Sequence, residues 1–211
     1  MESEFSMWWR PDPDTLDAKT TALVIFDMLQ GYRREVEASG NLGNAQRLLA
    51  ACRDAGVIVC YARANHRLDG ADYSRVLADT DRDFRRWTRE RPQPTRPAHG
   101  ADSPEFHVLP ELAPQPQDFD IRKHRWNAFH GTALDLTLRV QNIDTVLIAG
   151  GSTHVGVAST VYAGRDLDYQ MVVVSDACTG HEDQRTYFCD KVFPRMCRVR
   201  TVDQVQDMLR R

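Results

Sequence analysis

A chain of 211 residues, 42% hydrophobic and 27% charged, has the makeup of one globular domain, which excludes a disordered polymer. Its formal net charge of −3 gives no attraction for a polyanion, so no nucleic-acid partner is expected. No apolar run reaches the ~20 residues that a membrane span needs, and no membrane partner is expected either.

From the N-terminus, Met1-Glu2-Ser3-Glu4-Phe5 has neither the basic nor the apolar region of a secretory leader. The cysteines, Cys52, Cys60, Cys178, Cys189 and Cys197, are odd in number and form no Cys-x-x-Cys pair. That pattern fits reduced thiols in a reducing compartment, so a cytoplasmic protein is expected. Apolar runs rich in β-branched residues predict strands at 21–26, 57–62, 119–122, 145–149, 170–175 and about 197–200. Their apolar character is continuous rather than alternating, which marks strands buried on both faces of a parallel sheet.

Between the strands, Ala45, Leu48, Leu49 and Cys52 fall at i, i+3, i+4 and i+7, and 132–141, 154–167, 183–192 and 202–209 also read as helices. Strand alternating with helix predicts an α/β fold, a three-layer α/β/α sandwich with a mostly parallel, Rossmann-like sheet of about six strands. Residues 1–211 are expected to form a single domain. About 63–117 breaks the rhythm: seven of the ten prolines lie from Pro92 to Pro116, and so long an irregular stretch is expected to be a lid or a subunit contact. Its Arg85-Arg86-Trp87-Thr88-Arg89-Glu90-Arg91 run is diluted by Asp79, Asp81, Asp83 and Glu90, so it reads as a solvated face or oligomer contact. An arginine of this run that holds a substrate carboxylate is the minority reading.

In an open parallel sheet, ligands bind beyond the carboxyl ends of the strands. Asp27 follows the first strand, Lys123 the third, and Gly150-Gly151-Ser152-Thr153-His154-Val155-Gly156 the fourth. Each has a structural alternative: a turn cap, a surface lysine, a tight strand-to-helix turn. Together on one edge they make a coherent site, with a carboxyl group whose proton affinity an ammonium tunes. A helix N-terminus near His154–Gly156 would turn backbone N–H groups toward a developing negative charge. Cys178, after the fifth strand, is either a relocated nucleophile or a buried inert thiol, the latter favoured because nothing basic flanks it.

From about Thr20 to the C-terminus the chain resembles the isochorismatase-like hydrolases, through TALVIFDM around Asp27, KHRWNAFHGT from Lys123, IAGGSTHVGVAST and VVVSDAC. The resemblance implies an Asp–Lys–Cys triad, carried by Asp27 and Lys123, with the cysteine position falling on Gly156. Glycine excludes the covalent thioester route of the nicotinamidase and carbamoyl-amide members. His154-Val155-Gly156 looks like the turn of the true isochorismatases, which cleave a vinyl ether by protonation and water addition, with no nucleophilic side chain. Two features depart from that branch. Asp27-Met28-Leu29 stands where Asp-Met-Gln is usual, and Asn65 through Gly70 with Gly131-Thr132 look more like the ureidoacrylate hydrolases.

The expected activity is therefore hydrolysis of a small carboxylate-bearing molecule. Asp27 and Lys123 would be the acid–base pair at Gly156, and water the nucleophile. Tyr32, His66, Arg67, Trp126, Phe129, Ser152, Thr153 and His154 are the candidate substrate-binding residues. The alternatives are an amide or carbamoyl hydrolase without a cysteine, and a catalytically silent binding homologue. No cofactor is expected, and no metal site, because Ala64-Asn65-His66 replaces the Asp-x-His of nicotinamidases and no His-Glu-x-x-His occurs. The resemblance also implies a homo-oligomer, with 92–116 as the candidate contact.

Overall fold

The computed structural model describes residues 14–67, 71, 72, 74, 76 and 103–210. Strands β1 (Thr21–Phe26), β2 (Ile58–Ala64), β3 (Phe119–Lys123), β4 (Thr145–Gly150), β5 (Gln170–Cys178) and β6 (Arg198–Arg200) form one sheet. Their order is β3-β2-β1-β4-β5-β6, and every pairing is parallel. The connections leave β1 in opposite directions along the sheet, so the β1/β4 boundary is the topological switch point where such folds open a ligand crevice.

Every residue of β1 and β4 is buried, and side-chain alternation divides them between two cores. Leu23 and Ile25 pack on one face with Leu48, Leu49 and Cys52 of helix α2 (Leu42–Asp54). That core also holds Val202, Val205 and Met208 of helix α6 (Val202–Arg210). Ala22, Val24 and Phe26 pack on the other face against α3 (Leu134–Val140) and α4 (Ala158–Asp166). Two covered faces make the three layers expected. Among the described residues no helix is long and apolar enough to cross a membrane.

The part of the 63–117 segment that is described is more ordered than its prolines imply. Pro104 and Pro110 each open a short 3-10 turn, a position where the missing N–H is no loss. Phe106, Leu109 and Leu112 recur every three residues, the period of such turns, and all are buried. Tyr61 Oη donates to the Leu112 carbonyl at 2.8 Å, and Arg53 pairs with Asp118 at 2.6 Å. The arginine-rich run 85–91 and prolines 92, 94 and 97 lie outside the described residues.

Leu23, fully buried in a central strand, anchors the α2/α6 side. Leu23→Ala is expected to reduce unfolding free energy by about 2–5 kcal/mol, read as a lower urea midpoint with an unchanged m-value.

Candidate active site

Parallel register sets Lys123 of β3 opposite Ala64 of β2, while Phe26 of β1 lies opposite Ala62. Asp27, one step beyond β1, therefore stands across Ala64 from Lys123, and the alanine methyl leaves the gap open. Lys123 Nζ donates to Asp27 Oδ2 at 2.5 Å, and the Ala64 N–H donates to Asp27 Oδ1 at 2.7 Å. The Lys123 and Asp27 side chains are only 5% and 12% exposed, so little water screens them. Asp27 has φ +46°, a left-handed conformation that costs a non-glycine residue energy and that often marks functional positions.

The third member lies at the end of β4. Gly150 has φ +110°, and a Cβ there would collide with the Phe26 backbone carbonyl, so only glycine closes the β1/β4 seam this tightly. The Gly151–Ser152 peptide is cis. A π-helical turn, Thr153–Val157, leads into α4. The anion cradle expected at this turn is narrower than the sequence implies. The Val155 and Val157 N–H groups donate to the Ser152 carbonyl, and that of Thr153 to the Thr179 carbonyl.

Gly156 packs against aromatic carbon. A Cβ at this position would lie 2.6 Å from Cζ of Phe26 and closer still to Cε1. Phe26 is itself buried, and its ring centroid lies 4.4 Å from Lys123 Nζ, an arrangement that favours the cation. The ring thus fills the space of a side chain at 156 and supports the ammonium that holds Asp27.

A cavity of about 730 Å³ opens over this edge. Asp27, Lys123, Gly156, Tyr32, Trp126 and Ser152 line it as the sequence anticipates. Phe129 does not; the chain turns inward there, and its ring stacks on Tyr169 in the core at 5.6 Å. Thr153 is buried with its hydroxyl on the Thr179 carbonyl, a structural role. His154 lies behind the wall, its Nδ1 3.2 Å from Ser152 Oγ and its ring beside Phe188. Cys178 is buried in β5 and burial pushes its thiol far up, so it is inert rather than a relocated nucleophile.

His66 and Arg67 lie beyond the cavity lining, in a different cluster. His66 Nδ1 and His124 Nδ1 lie 3.5 Å and 3.0 Å from the Asp72 carboxylate, which also accepts the Arg67 N–H. These three side chains place ligand atoms within 4.8 Å of one another, the one such group among the described residues that could hold a divalent cation. No sequence spacing announces it, because the tertiary fold joins positions 66, 72 and 124. The sequence also overlooks the far wall, Thr179 to Arg185, and the α1 wall (α1, Arg33–Ala38). The strand-end rule applied to β5 as well would have found the former.

Comparison with known proteins gives the family. Residues 21–204 match the family model described as Isochorismatase domain. The chain is 31% identical to the isochorismatase family protein YecD of Escherichia coli O157:H7, over 92% of this chain and 98% of that one. It is 28% identical to the ureidoacrylate amidohydrolase RutB of Rhizobium rhizogenes, over 80% of this chain and 74% of the relative. An isochorismatase family protein from Burkholderia thailandensis superposes with a TM-score of 0.76 at 30% identity, covering 93% of this chain and 98% of the other.

Two outcomes follow from the packing and the histidines. Gly156→Cys is expected to lower stability by about 1–3 kcal/mol through overpacking. The loss should shrink when Phe26 is also Leu, a non-additivity measurable in a double-mutant cycle. His66 and His154 are both held below the ordinary 6.5, chiefly by burial, with His181 adding to the effect at His154. The unfolded chain therefore binds more protons just below pH 6.5, and stability falls as pH drops through that value. Urea titrations between pH 7 and 5.5 should show this fall, and His154→Gln should flatten it.

Proposed function

This chain belongs to the isochorismatase family of hydrolases, and we propose that it hydrolyses a small carboxylate-bearing enol ether by acid–base catalysis, with water as the nucleophile. The observation that carries the reading is the shielded Asp27–Lys123 pair facing a cavity in which position 156 has no side chain to attack with. In its acid form Asp27 protonates the terminal enol carbon, which leaves an oxocarbenium ion. Water adds to the cationic carbon and releases one proton, so the proton used is restored. The hemiketal then collapses to a ketone and an alcohol. Lys123 holds the carboxyl in place and offers a proton path through its contact with Oδ2. Tyr32, Trp126 and Ser152 flank the substrate.

Similarity to a ureidoacrylate amidohydrolase supports a second reading, in which Asp27 as carboxylate takes a proton from water and the water attacks an amide or carbamoyl carbon. Asp27 then returns the proton to the nitrogen as the C–N bond breaks and ammonia or an amine leaves.

Isochorismate is the enol-ether probe. The wild type is expected to release pyruvate from it, and Asp27→Asn to lower the rate by about 10²–10⁴-fold, with circular dichroism confirming that the variant is folded. Full turnover by Asp27→Asn would overturn the role of Asp27. Ammonia from carbamoyl compounds without pyruvate from isochorismate would establish the second reading. Ligand binding without turnover of either class would mean a silent homologue.

A further inference from the structure

We propose that Arg185 is the group that grips the substrate's carboxylate, making the far wall of the cavity a built site for a single planar anionic group. This rests on the reading of the cavity as a hydrolase active site and deepens it by saying where the charge of the substrate goes.

Arg185 lies on helix α5 (Glu182–Tyr187), which follows β5 and packs on the Thr153–Val157 turn. It lines the same cavity as Asp27 and Lys123 and is half-buried. Its guanidinium nonetheless finds no acceptor among the described residues. Among the described residues no carboxylate lies within ion-pair reach, although Glu182 is one turn away on the same helix, and Nε is shut off from solvent with no hydrogen-bond partner. Guanidinium N–H groups withdrawn from water and left unmade are expensive, and such exceptions call for a missing partner.

The other cations of the cavity are poorer candidates. Lys123 is committed to Asp27. Arg34 and His181 also line the cavity but are exposed, where an anion gains little in high dielectric. Burial holds His154 low, and it stands behind the wall.

The partner's chemistry follows from this count. One partly desolvated guanidinium balances one negative charge, and its planar fork matches a carboxylate. A dianionic phosphate would need a second shielded cation. The surrounding wall is apolar where Val36, Val155 and Trp126 contribute, which suits the hydrocarbon frame of a small organic acid. Strand β5 is two places from β1 in the sheet, so at ~4.8 Å per strand the two strand ends lie roughly 10 Å apart. A carboxylate gripped on the β5 side thus stands apart from the enol carbon that Asp27 protonates.

Binding of benzoate, neutral benzamide and methyl phosphate to the intact protein, measured by calorimetry, tests this without any turnover. Wild type is expected to bind benzoate in preference to both others. Arg185→Gln should weaken benzoate by about tenfold or more and leave benzamide unchanged, with Arg185→Lys between the two. Melting temperatures show that each variant is folded. Benzoate binding that is absent from wild type, unaltered in Arg185→Gln, or weaker than that of methyl phosphate would overturn the proposal, as would an equal loss of benzamide. Asp27→Asn separates the two ideas: it should slow turnover by about 10²–10⁴-fold and keep benzoate binding. Arg185-dependent benzoate binding in a protein that turns over no enol ether would leave the anion site standing and remove the reaction assigned to it.

Discussion

A lysine and an aspartate withdrawn together from water, at the edge of a parallel sheet, set the terms for everything around them. Desolvating two charges costs several kcal/mol per ion, and their mutual attraction returns this only with close geometry and further hydrogen bonds. Here the geometry is close: one carboxylate oxygen faces Lys123 and the other the Ala64 N–H, while the Phe26 ring lies under the ammonium. Such a pair is weak evidence for net stability. The left-handed backbone of Asp27 accompanies a carboxylate held across β2, between the Ala64 N–H and Lys123.

Holding that pair requires rigid strand ends, and the two cores provide them. The alternation of β1 commits Leu23 and Ile25 to one helical layer and Ala22, Val24 and Phe26 to the other. A shift of one residue would exchange every side chain between the layers. Phe26 is therefore fixed from both directions, by strand register and by its neighbours, and it passes that rigidity to Lys123 and to the Gly156 turn.

Much of this was legible in the sequence. The unbroken apolar runs TALVIF and TVLIA could only be strands covered on both faces, and the sheet edge followed from them. The fifth strand was read three residues short, because Ser175 and Asp176 interrupt the apolar run. Asp176 is polar for a reason outside the strand: its carboxylate accepts the Val202 N–H at the start of α6, and its carbonyl accepts from Asn44. Phe129 was misplaced for a similar reason, since proximity to Lys123 in sequence says nothing of the inward turn that stacks it on Tyr169. Arg185 and the His66–Asp72–His124 group were illegible for want of any local pattern, because folding alone assembles them. Gly156 was read as the position with no side chain to attack with. What the sequence does not disclose is that the Phe26 ring occupies the space beside it.

That occupancy gives the site a history-like direction. A Cβ at 156 and the Phe26 ring compete for one space, so a side chain at 156 fits without strain only beside a smaller residue at 26. The two positions therefore exchange volume as a pair, 130 residues apart in the chain. Placing a thiol at 156 without strain calls for a smaller residue at 26, and that change also removes the aromatic ring from Lys123. One aromatic ring thus couples what can stand at position 156 to what lies beneath the ammonium of Lys123.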